Sequence, residues 1–165
     1  MTTLSRFFSN NSIRILSKYG DKPAHRPWAE LPGYLRDSNR DQADHMAVKL
    51  TILSDLGITA KALVTCGESA LGVESKDEQH EVLARFWEQH SIELEDFAAM
   101  EHRRWCASTI LAGFTHNETR NERKRHHHDL IEYSRLPEGT KQWDRDVIFQ
   151  LPITVAQMNS VSALF

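Results

Sequence analysis

The chain has 165 residues, of which 26% are charged, and its formal net charge at pH 7 is −3. This length suffices for one domain with an apolar core that needs neither a disulfide nor a metal. The slight acidic excess disfavours a nucleic-acid partner, and Cys66 and Cys106 form neither a disulfide framework nor a zinc motif. The N-terminal segment 1–19 lacks the apolar run of a signal peptide or a membrane span. We therefore expect one cytoplasmic domain over residues 1–165, without a membrane or nucleic-acid partner.

The first half of the chain is predicted to hold one long helix. Turn-forming residues between 20 and 27 separate it from the N-terminal segment. Apolar residues then recur with helical spacing from Pro32 to Leu56, and Gly57 is placed to end the helix. Residues 58–73 have no clean period, so a short strand and a loop are both open there.

A capping box predicts the next helix. Ser75 and Glu78 have the required spacing. In a capping box the Ser hydroxyl accepts a backbone N–H of the first turn, and the Glu carboxylate accepts the backbone N–H of the Ser. This helix is expected to stop near Ser91. Four of its apolar side chains are expected to face inward: Val82, Leu83, Phe86 and Trp87.

Two more helices follow in the pattern. One runs from Leu94 to Ala112 and is ended by Gly113, which favours a C-terminal stop. The other begins at Pro137 and continues until Pro152 stops it. The segment 115–135 between them has mixed charge and suits either a long loop or a short hairpin.

Two stretches share one half-motif. Each has an aromatic residue three positions before a Leu-Pro pair, and an Asn/Asp-Arg pair eight and nine positions after the Leu. Proline is tolerated at the start of a helix, so the half-motif predicts a helix entry. The Arg of each copy can either contact a ligand or form a structural ion pair. For the repeat as a whole, the alternative is a chance similarity of the two stretches. The two copies are Trp28, Leu31, Pro32, Asn39 and Arg40, and Tyr133, Leu136, Pro137, Asp144 and Arg145.

The order of these motifs resembles the ryanodine-receptor (RyR) repeat domain, especially its prokaryotic members. The resemblance rests on a Glu-His-x-x-Trp helix, a basic loop, an aromatic residue and a Leu-Pro helix, while residues 28–49 look like a preceding half-copy. The residues of the fuller copy are Glu101, His102, Trp105, Leu111, Gly113, Phe114, Arg120, Lys124, His126, Leu130, Ile131, Tyr133, Leu136, Pro137, Asp144 and Arg145.

The resemblance implies a mainly α fold with short β-strands, built of two diverged half-repeats that pack with pseudo-twofold symmetry. Residues 20–57 would be the first half-repeat, 58–93 the connecting segment and 94–152 the second. It also implies a module that binds an adenine nucleotide or a related small molecule, with motif tryptophans against the base. This chain has Phe114 where the family prefers Trp, and His127 where the family has Pro. A pocket centred on Trp105 alone, or completed by a second chain, is therefore the expectation.

Residues on one face of the predicted 94–112 helix form the centre of the candidate ligand site: Glu101, Arg104, Trp105 and Ser108. An indole stacks on a base with about 1–3 kcal/mol, and Glu101 can accept from an amine or a hydroxyl. The alternative is that Trp105 is an ordinary core residue. Cations for phosphate groups and further motif residues complete the candidate site: Arg40, Arg120, Lys124, Arg125, His126, Tyr133 and Arg145.

No metal, cofactor or catalytic residue is predicted. His126, His127 and His128 are adjacent, and neighbours in an extended segment point to opposite sides, whereas zinc ligands are usually spaced apart. His102 and Cys106 lie one helical turn apart but lack the third group of a nucleophilic site.

The sequence therefore favours a non-enzymatic ligand-binding or sensor domain for a nucleotide-derived small molecule. A protein-interaction module that packs a homodimer or binds an effector protein through the same residues is the alternative. A nucleotide hydrolase or lyase is a weaker third reading. The identity of the ligand, the partner and the oligomeric state do not follow from these patterns.

Overall fold

The structure is a computed structural model that describes residues 27–162, with side chains described as far as residue 160. The N-terminal segment 1–19 and all but the last residue of the predicted 20–27 loop lie outside these residues. The described chain is mainly helical with one pair of short strands, which confirms the predicted class. Its elements are α1 (Gly33–Asp44), α2 (Met46–Asp55), α3 (Ala60–Leu71), α4 (Lys76–Gln89), α5 (Leu94–Leu111), β1 (Thr115–His116), β2 (His126–His127), α6 (Glu138–Phe149) and α7 (Leu151–Ser162).

Two glycines end helices as predicted. Gly57 and Gly113 have φ of +86° and +85°, a conformation that residues with a side chain rarely adopt. The helix predicted from Pro32 to Leu56 is nevertheless divided into α1 and α2. His45 lies at the break with ψ of −7°, well away from the regular helical value of about −42°.

The capping box at the start of α4 is confirmed. The Ser75 hydroxyl accepts the Glu78 amide at 3.1 Å, and the Glu78 carboxylate accepts the Ser75 amide at 3.4 Å. Leu83, Phe86 and Trp87 are buried, while Val82 is only half-buried.

Residues 58–73 form neither a strand nor a plain loop, because they contain α3. Thr59 caps this helix, and its hydroxyl accepts the Ala62 amide at 3.2 Å. The buried positions have helical spacing, but three of the four are small residues, so their apolar signal is weak. They are Leu63, Cys66, Gly67 and Ala70.

The prediction that Pro152 ends the last helix is wrong. Helix α6 ends earlier, at Phe149, and Pro152 lies in the first turn of α7. An amide in the first turn has no partner within its own helix, so proline is tolerated there. A proline that was expected to stop one helix therefore stands at the start of another.

The two copies of the half-motif have the same local conformation. In each, a 3-10 turn precedes a buried Leu, and a 12-residue helix follows the Pro. Pro32 and Pro137 have nearly equal backbone angles, with φ of −51° and −56° and ψ of 147° and 145°. Both are N-cap residues, one position before the first helical residue.

The segment 115–135 is a loop that contains two short strands. β1 and β2 pair in parallel, with Thr115 opposite His126 and His116 opposite His127. β1 and β2 do not form a hairpin with each other, because the strands of a hairpin are antiparallel. Asn121 and His126 form an antiparallel bridge and exchange two backbone hydrogen bonds, at 2.9 and 3.0 Å, so the segment is a long loop that holds one tight hairpin-like turn.

The chain divides into two compact units. Among the described residues, the first unit comprises 27–46 and 103–135, and the second comprises 47–102 and 136–162. The expectation of one domain over 1–165, with its half-repeat boundaries, stays a prediction. In the second unit α3 packs against α4 and α7. Large side chains at the centre of this unit are fully buried: Leu53, Leu63, Leu83, Ile148 and Leu151.

Gly67 allows α3 and α7 to approach closely. A Cβ atom at this position would overlap the Pro152 carbonyl group and lie 2.7 Å from the Ala156 Cβ atom. Backbone atoms of a helix cannot move aside as a flexible side chain can. Gly67 is therefore a packing requirement in the second unit.

We expect Gly67→Ala to lower the free energy of unfolding by about 1–3 kcal/mol, as overpacked core positions do. Gly139→Ala is the matched control, because Gly139 lies in the first turn of α6 and a Cβ atom there meets nothing within 4 Å. The control should be neutral or slightly stabilising. Urea denaturation of both variants checks this, and equal stabilities would contradict it.

Candidate ligand-binding cleft

A cleft of about 60 Å³ lies within the first unit. A water molecule needs about 10–15 Å³ measured in this way, whereas pockets that enclose drug-sized ligands have about 300–1,000 Å³. The cleft therefore admits one end of a ligand, and the rest of that ligand must lie outside. We call it the Trp105 cleft, and its lining residues are Tyr34, Leu35, Ser38, Trp105, Ser108, Thr109, Ala112, Phe114, Arg120 and His127.

One wall of the Trp105 cleft is a single face of α5, continued by Ala112 directly after the helix. Its residues lie at intervals of three, four and seven from Trp105, as neighbours on a helix surface do. Trp105 is half-buried, and the ring of His127 stands edge-on to its indole at 4.9 Å and 70°. The indole is thus neither sealed in the core nor free at the surface.

Another wall comes from α1 and from Phe114, three residues after the end of α5. Tyr34 lies against the buried Phe114, with ring centroids 5.4 Å apart. The Ser108 hydroxyl donates a hydrogen bond to the carboxylate of Asp41 in α1. These contacts hold α1 against α5 and keep the two walls of the cleft in place.

The rim of the Trp105 cleft carries a cation. The Arg120 guanidinium donates to the Glu122 carboxylate at 2.7 Å, and both side chains are substantially exposed. Burial and a hydrogen bond with Glu122 raise the pKa of Tyr34 to about 12, so its phenol is neutral at pH 7. Arg120 is the charged member of the lining, and Glu122 partly balances it.

His127 is a neutral group of the cleft. Burial disfavours its charged form and, with the nearby Arg120, lowers its pKa to about 4. The Asp129 amide donates to its Nδ1 atom at 3.2 Å, so a neutral ring carries its proton on Nε2.

The structure brings two predicted ligand residues to the cleft, Trp105 and Arg120, together with Ser108 from the predicted helix face. Arg40 pairs with Asp37 and lies 5.6 Å from the centre of the Trp28 ring. Other predicted residues belong to the first unit but do not line the cleft: Arg104, Lys124, Arg125, His126 and Tyr133.

Two predicted ligand residues belong to the second unit and have partners there. Glu101 is buried with its carboxylate 2.6 Å from the ammonium of Lys49, which is fully buried. Arg145 binds the Glu95 carboxylate through two nitrogens, at 2.6 and 2.8 Å. The sequence left open whether Arg145 contacts a ligand or forms a structural ion pair, and the structure shows an ion pair.

His102 and Cys106 also have separate partners. The Nδ1 atom of His102 lies 3.3 Å from the Asp144 carboxylate, and the Cys106 thiol lies 4.0 Å from the Ile131 carbonyl oxygen. Each side chain is therefore engaged in a contact of its own unit.

Sequence reasoning missed most of the neutral lining. Tyr34 and Ser38 are one turn apart near the start of α1, and this spacing after a Leu-Pro pair was their only signal. His127 was noted as a departure from the family pattern, but its place beside Trp105 depends on the pairing of β1 with β2.

The RyR domain family model matches residues 78–160, which is half of the chain. The chain therefore belongs to the RyR domain family. The match includes Trp105, Arg120 and His127, whereas the first copy of the half-motif lies before it. No curated protein and no solved structure matches the chain. Across the described residues, every helix is too short or too polar to cross a membrane.

We expect that removing either member of the buried Lys49–Glu101 pair will lower the free energy of unfolding by about 3–5 kcal/mol, because the other charge stays buried without it. Lys49→Met and Glu101→Leu test this in urea. The double variant should recover most of the loss, since an apolar pair leaves no buried charge. Additive losses in the double variant would contradict this account.

Tyr34 should make stability sensitive to alkaline pH. Its pKa is about 12 in the folded chain against the ordinary value of 10.0, so between these values the unfolded state releases the proton first. The stabilisation that the neutral phenol gives to the folded state is therefore lost progressively as the pH rises above 10. We expect stability to fall more between pH 9 and pH 11 in the wild type than in Tyr34→Phe. Equal falls in urea denaturation would show that the phenol has no such role.

Proposed function

We propose that this chain is a non-enzymatic sensor module that binds a nucleotide or nucleotide-derived small molecule in the Trp105 cleft. The observation that carries the proposal is a half-buried indole in an open cleft with a cation at its rim. Membership of the RyR domain family supports a binding role for this part of the chain. We also propose that the protein is cytoplasmic and that it is related to the prokaryotic members of the family.

The size and the chemistry of the cleft favour a flat ring at its base. The volume of about 60 Å³ suits one end of a ligand, and an aromatic residue stacks on any base. The hydroxyls of Ser38 and Thr109 and the neutral His127 can meet the polar edge of that ring. The sugar and phosphates would then lie outside.

Exposed cations are available to bind such phosphates. Arg120 lines the cleft, and Lys124 is an exposed member of the same loop. Arginine binds phosphate oxygens through two nitrogens at once, although the Glu122 carboxylate must first release it. The ligand therefore competes with Glu122 for the guanidinium.

The composition of the lining supports binding without catalysis. Among its ten residues there is no Asp, Glu, Cys or Lys. A general acid–base reaction needs a titratable group poised near neutral pH, whereas the pKa of Tyr34 is about 12 and that of His127 about 4. Ligand binding would then act through the association of this module with a partner.

The conformation of the two half-motifs supports a related inference, that they are diverged copies of one unit. Both have a 3-10 turn, a buried Leu, an N-cap Pro and a 12-residue helix. Packing of the copies with pseudo-twofold symmetry stays a prediction.

A specific observation favours a second candidate, an assembly module. Ile110 and Leu111 are adjacent at the end of α5 and have exposed fractions of 58% and 88%. An exposed pair of this kind is suited to an apolar contact with a second copy.

Calorimetry with a panel of adenine nucleotides, NAD metabolites and cyclic nucleotides tests the first candidate. At least one compound should bind, and Trp105→Ala should weaken it by about 1–3 kcal/mol, or roughly 5-fold to 150-fold. Arg120→Ala should weaken phosphorylated compounds more than the matching nucleoside. Trp28→Ala, which removes a half-buried tryptophan outside the cleft, is the control and should leave affinity unchanged.

Two outcomes would overturn the sensor proposal. Absence of heat with every compound, together with a dimer that Leu111→Asp dissociates, would favour the assembly module. Turnover of a panel member would favour an enzyme. Thermal unfolding of each variant separates loss of binding from loss of folding.

A further inference from the structure

Three adjacent side chains converge next to the Trp105 cleft, and the proposed function does not use them as a group. They are His127, His128 and Asp129. The expectation that neighbouring histidines point to opposite sides fails at this place. The rings of His127 and His128 are stacked, with centroids 5.2 Å apart and planes inclined by 13°.

The reason is that β2 ends at His127. His128 and Asp129 lie in a turn, so the alternation of an extended strand does not apply to them. The strand holds the backbone of His127, whose carbonyl oxygen accepts the Asn117 amide at 3.3 Å. The turn then brings the next two side chains back beside it.

The potential ligand atoms are close together. A carboxylate oxygen of Asp129 lies 3.4 Å from Nε2 of His128, and the other lies 3.9 Å from Nδ1 of His127. One ligand atom from each residue falls within 4.8 Å of the others. Ligands at about 2.0–2.1 Å from a tetrahedral zinc ion are separated by roughly 3.3–3.4 Å, so small side-chain rotations suffice.

We propose that His127, His128 and Asp129 form a binding site for one divalent transition-metal ion such as Zn²⁺. Two imidazoles and one carboxylate are a donor set that suits zinc and its neighbours better than Mg²⁺ or Ca²⁺, which prefer oxygen ligands. Three protein ligands leave a coordination position for water or for a ligand atom. Binding through Nδ1 of His127 replaces the 3.2 Å hydrogen bond from the Asp129 amide.

Two features of the surroundings favour metal binding. The Nδ1 atom of His127 accepts a hydrogen bond from the Asp129 amide, so this nitrogen presents a lone pair that a metal ion can take over. His128 is half-exposed, with 48% of its side chain accessible, which leaves a path for the ion from solvent. Since His127 also lines the Trp105 cleft, a bound ion adds positive charge to the wall of that cleft.

Titration calorimetry of the full chain with ZnCl₂ tests the site without any nucleotide. We expect one ion per chain, and no binding of Mg²⁺ under the same conditions. His128→Ala and Asp129→Asn should each weaken Zn²⁺ binding by at least about tenfold, the loss that even an indirect support of a metal site commonly causes. Thermal unfolding confirms that both variants stay folded.

His126→Ala is the matched control, because His126 belongs to the same histidine run but not to the cluster. It should keep the wild-type affinity for Zn²⁺. An equal loss in this control would mean that the run binds zinc as a flexible chain, and absence of any Zn²⁺ binding would overturn the site directly. The test uses the metal alone, so its failure leaves the nucleotide proposal standing, and the reverse also holds.

Discussion

The left-handed backbone at Gly113 is the constraint on which the Trp105 cleft depends. Gly113 lies two residues after the last residue of α5 and turns the chain away from the helix. The turn lets the Phe114 amide donate to the Thr109 carbonyl oxygen at 3.1 Å. Phe114 then enters the core of the first unit against Tyr34, and β1 begins directly after it. A side chain at position 113 would need a strained φ and would lie 2.8 Å from the Arg125 guanidinium, so no other residue fits this turn as well.

The consequences of that turn extend to the site. β1 can pair with β2 only because α5 stops where it does, and the pairing sets His127 edge-on against Trp105. Arg125 also has a positive φ, and its guanidinium donates to the carbonyl oxygen of Ala112 at the end of α5. One loop thereby closes over the end of α5 and supplies both His127 and the rim cation Arg120.

The distribution of charge explains why the cleft is mostly neutral. Several charged residues that the sequence marked as ligand contacts have acidic or basic partners within their own unit, as Glu101 has Lys49 and Arg145 has Glu95. A buried charge needs such a partner, because burial without one is strongly unfavourable. What remains in the cleft is an indole, hydroxyls, a neutral imidazole and one exposed guanidinium.

Local signals in the sequence predicted several helix ends correctly and predicted the packing poorly. The capping box at Ser75, Gly57 and Gly113 act within a few residues of themselves, so their effects could be read directly. Helix α3 was not predicted because its buried face consists mostly of small residues. Glycine is required at position 67 because the backbone of α7, which is distant in sequence, packs against it. Pro152 was misread because a proline that ends one helix and one that begins another look alike.

Some residues of the candidate site were likewise predictable from local sequence, whereas others depend on contacts between distant segments. Trp105 and Ser108 share a helix face that spacing alone predicts, and Arg120 follows in a basic loop. Tyr34 and His127 reach the cleft from segments far apart in sequence, through ring contacts with Phe114 and Trp105 that no spacing rule contains. The histidine run was judged by the alternation of a strand, but a strand of two residues is too short for that alternation to reach His128. An ion held there would place a second positive centre beside Arg120, and the cleft would then favour a ligand whose flat ring carries anionic groups.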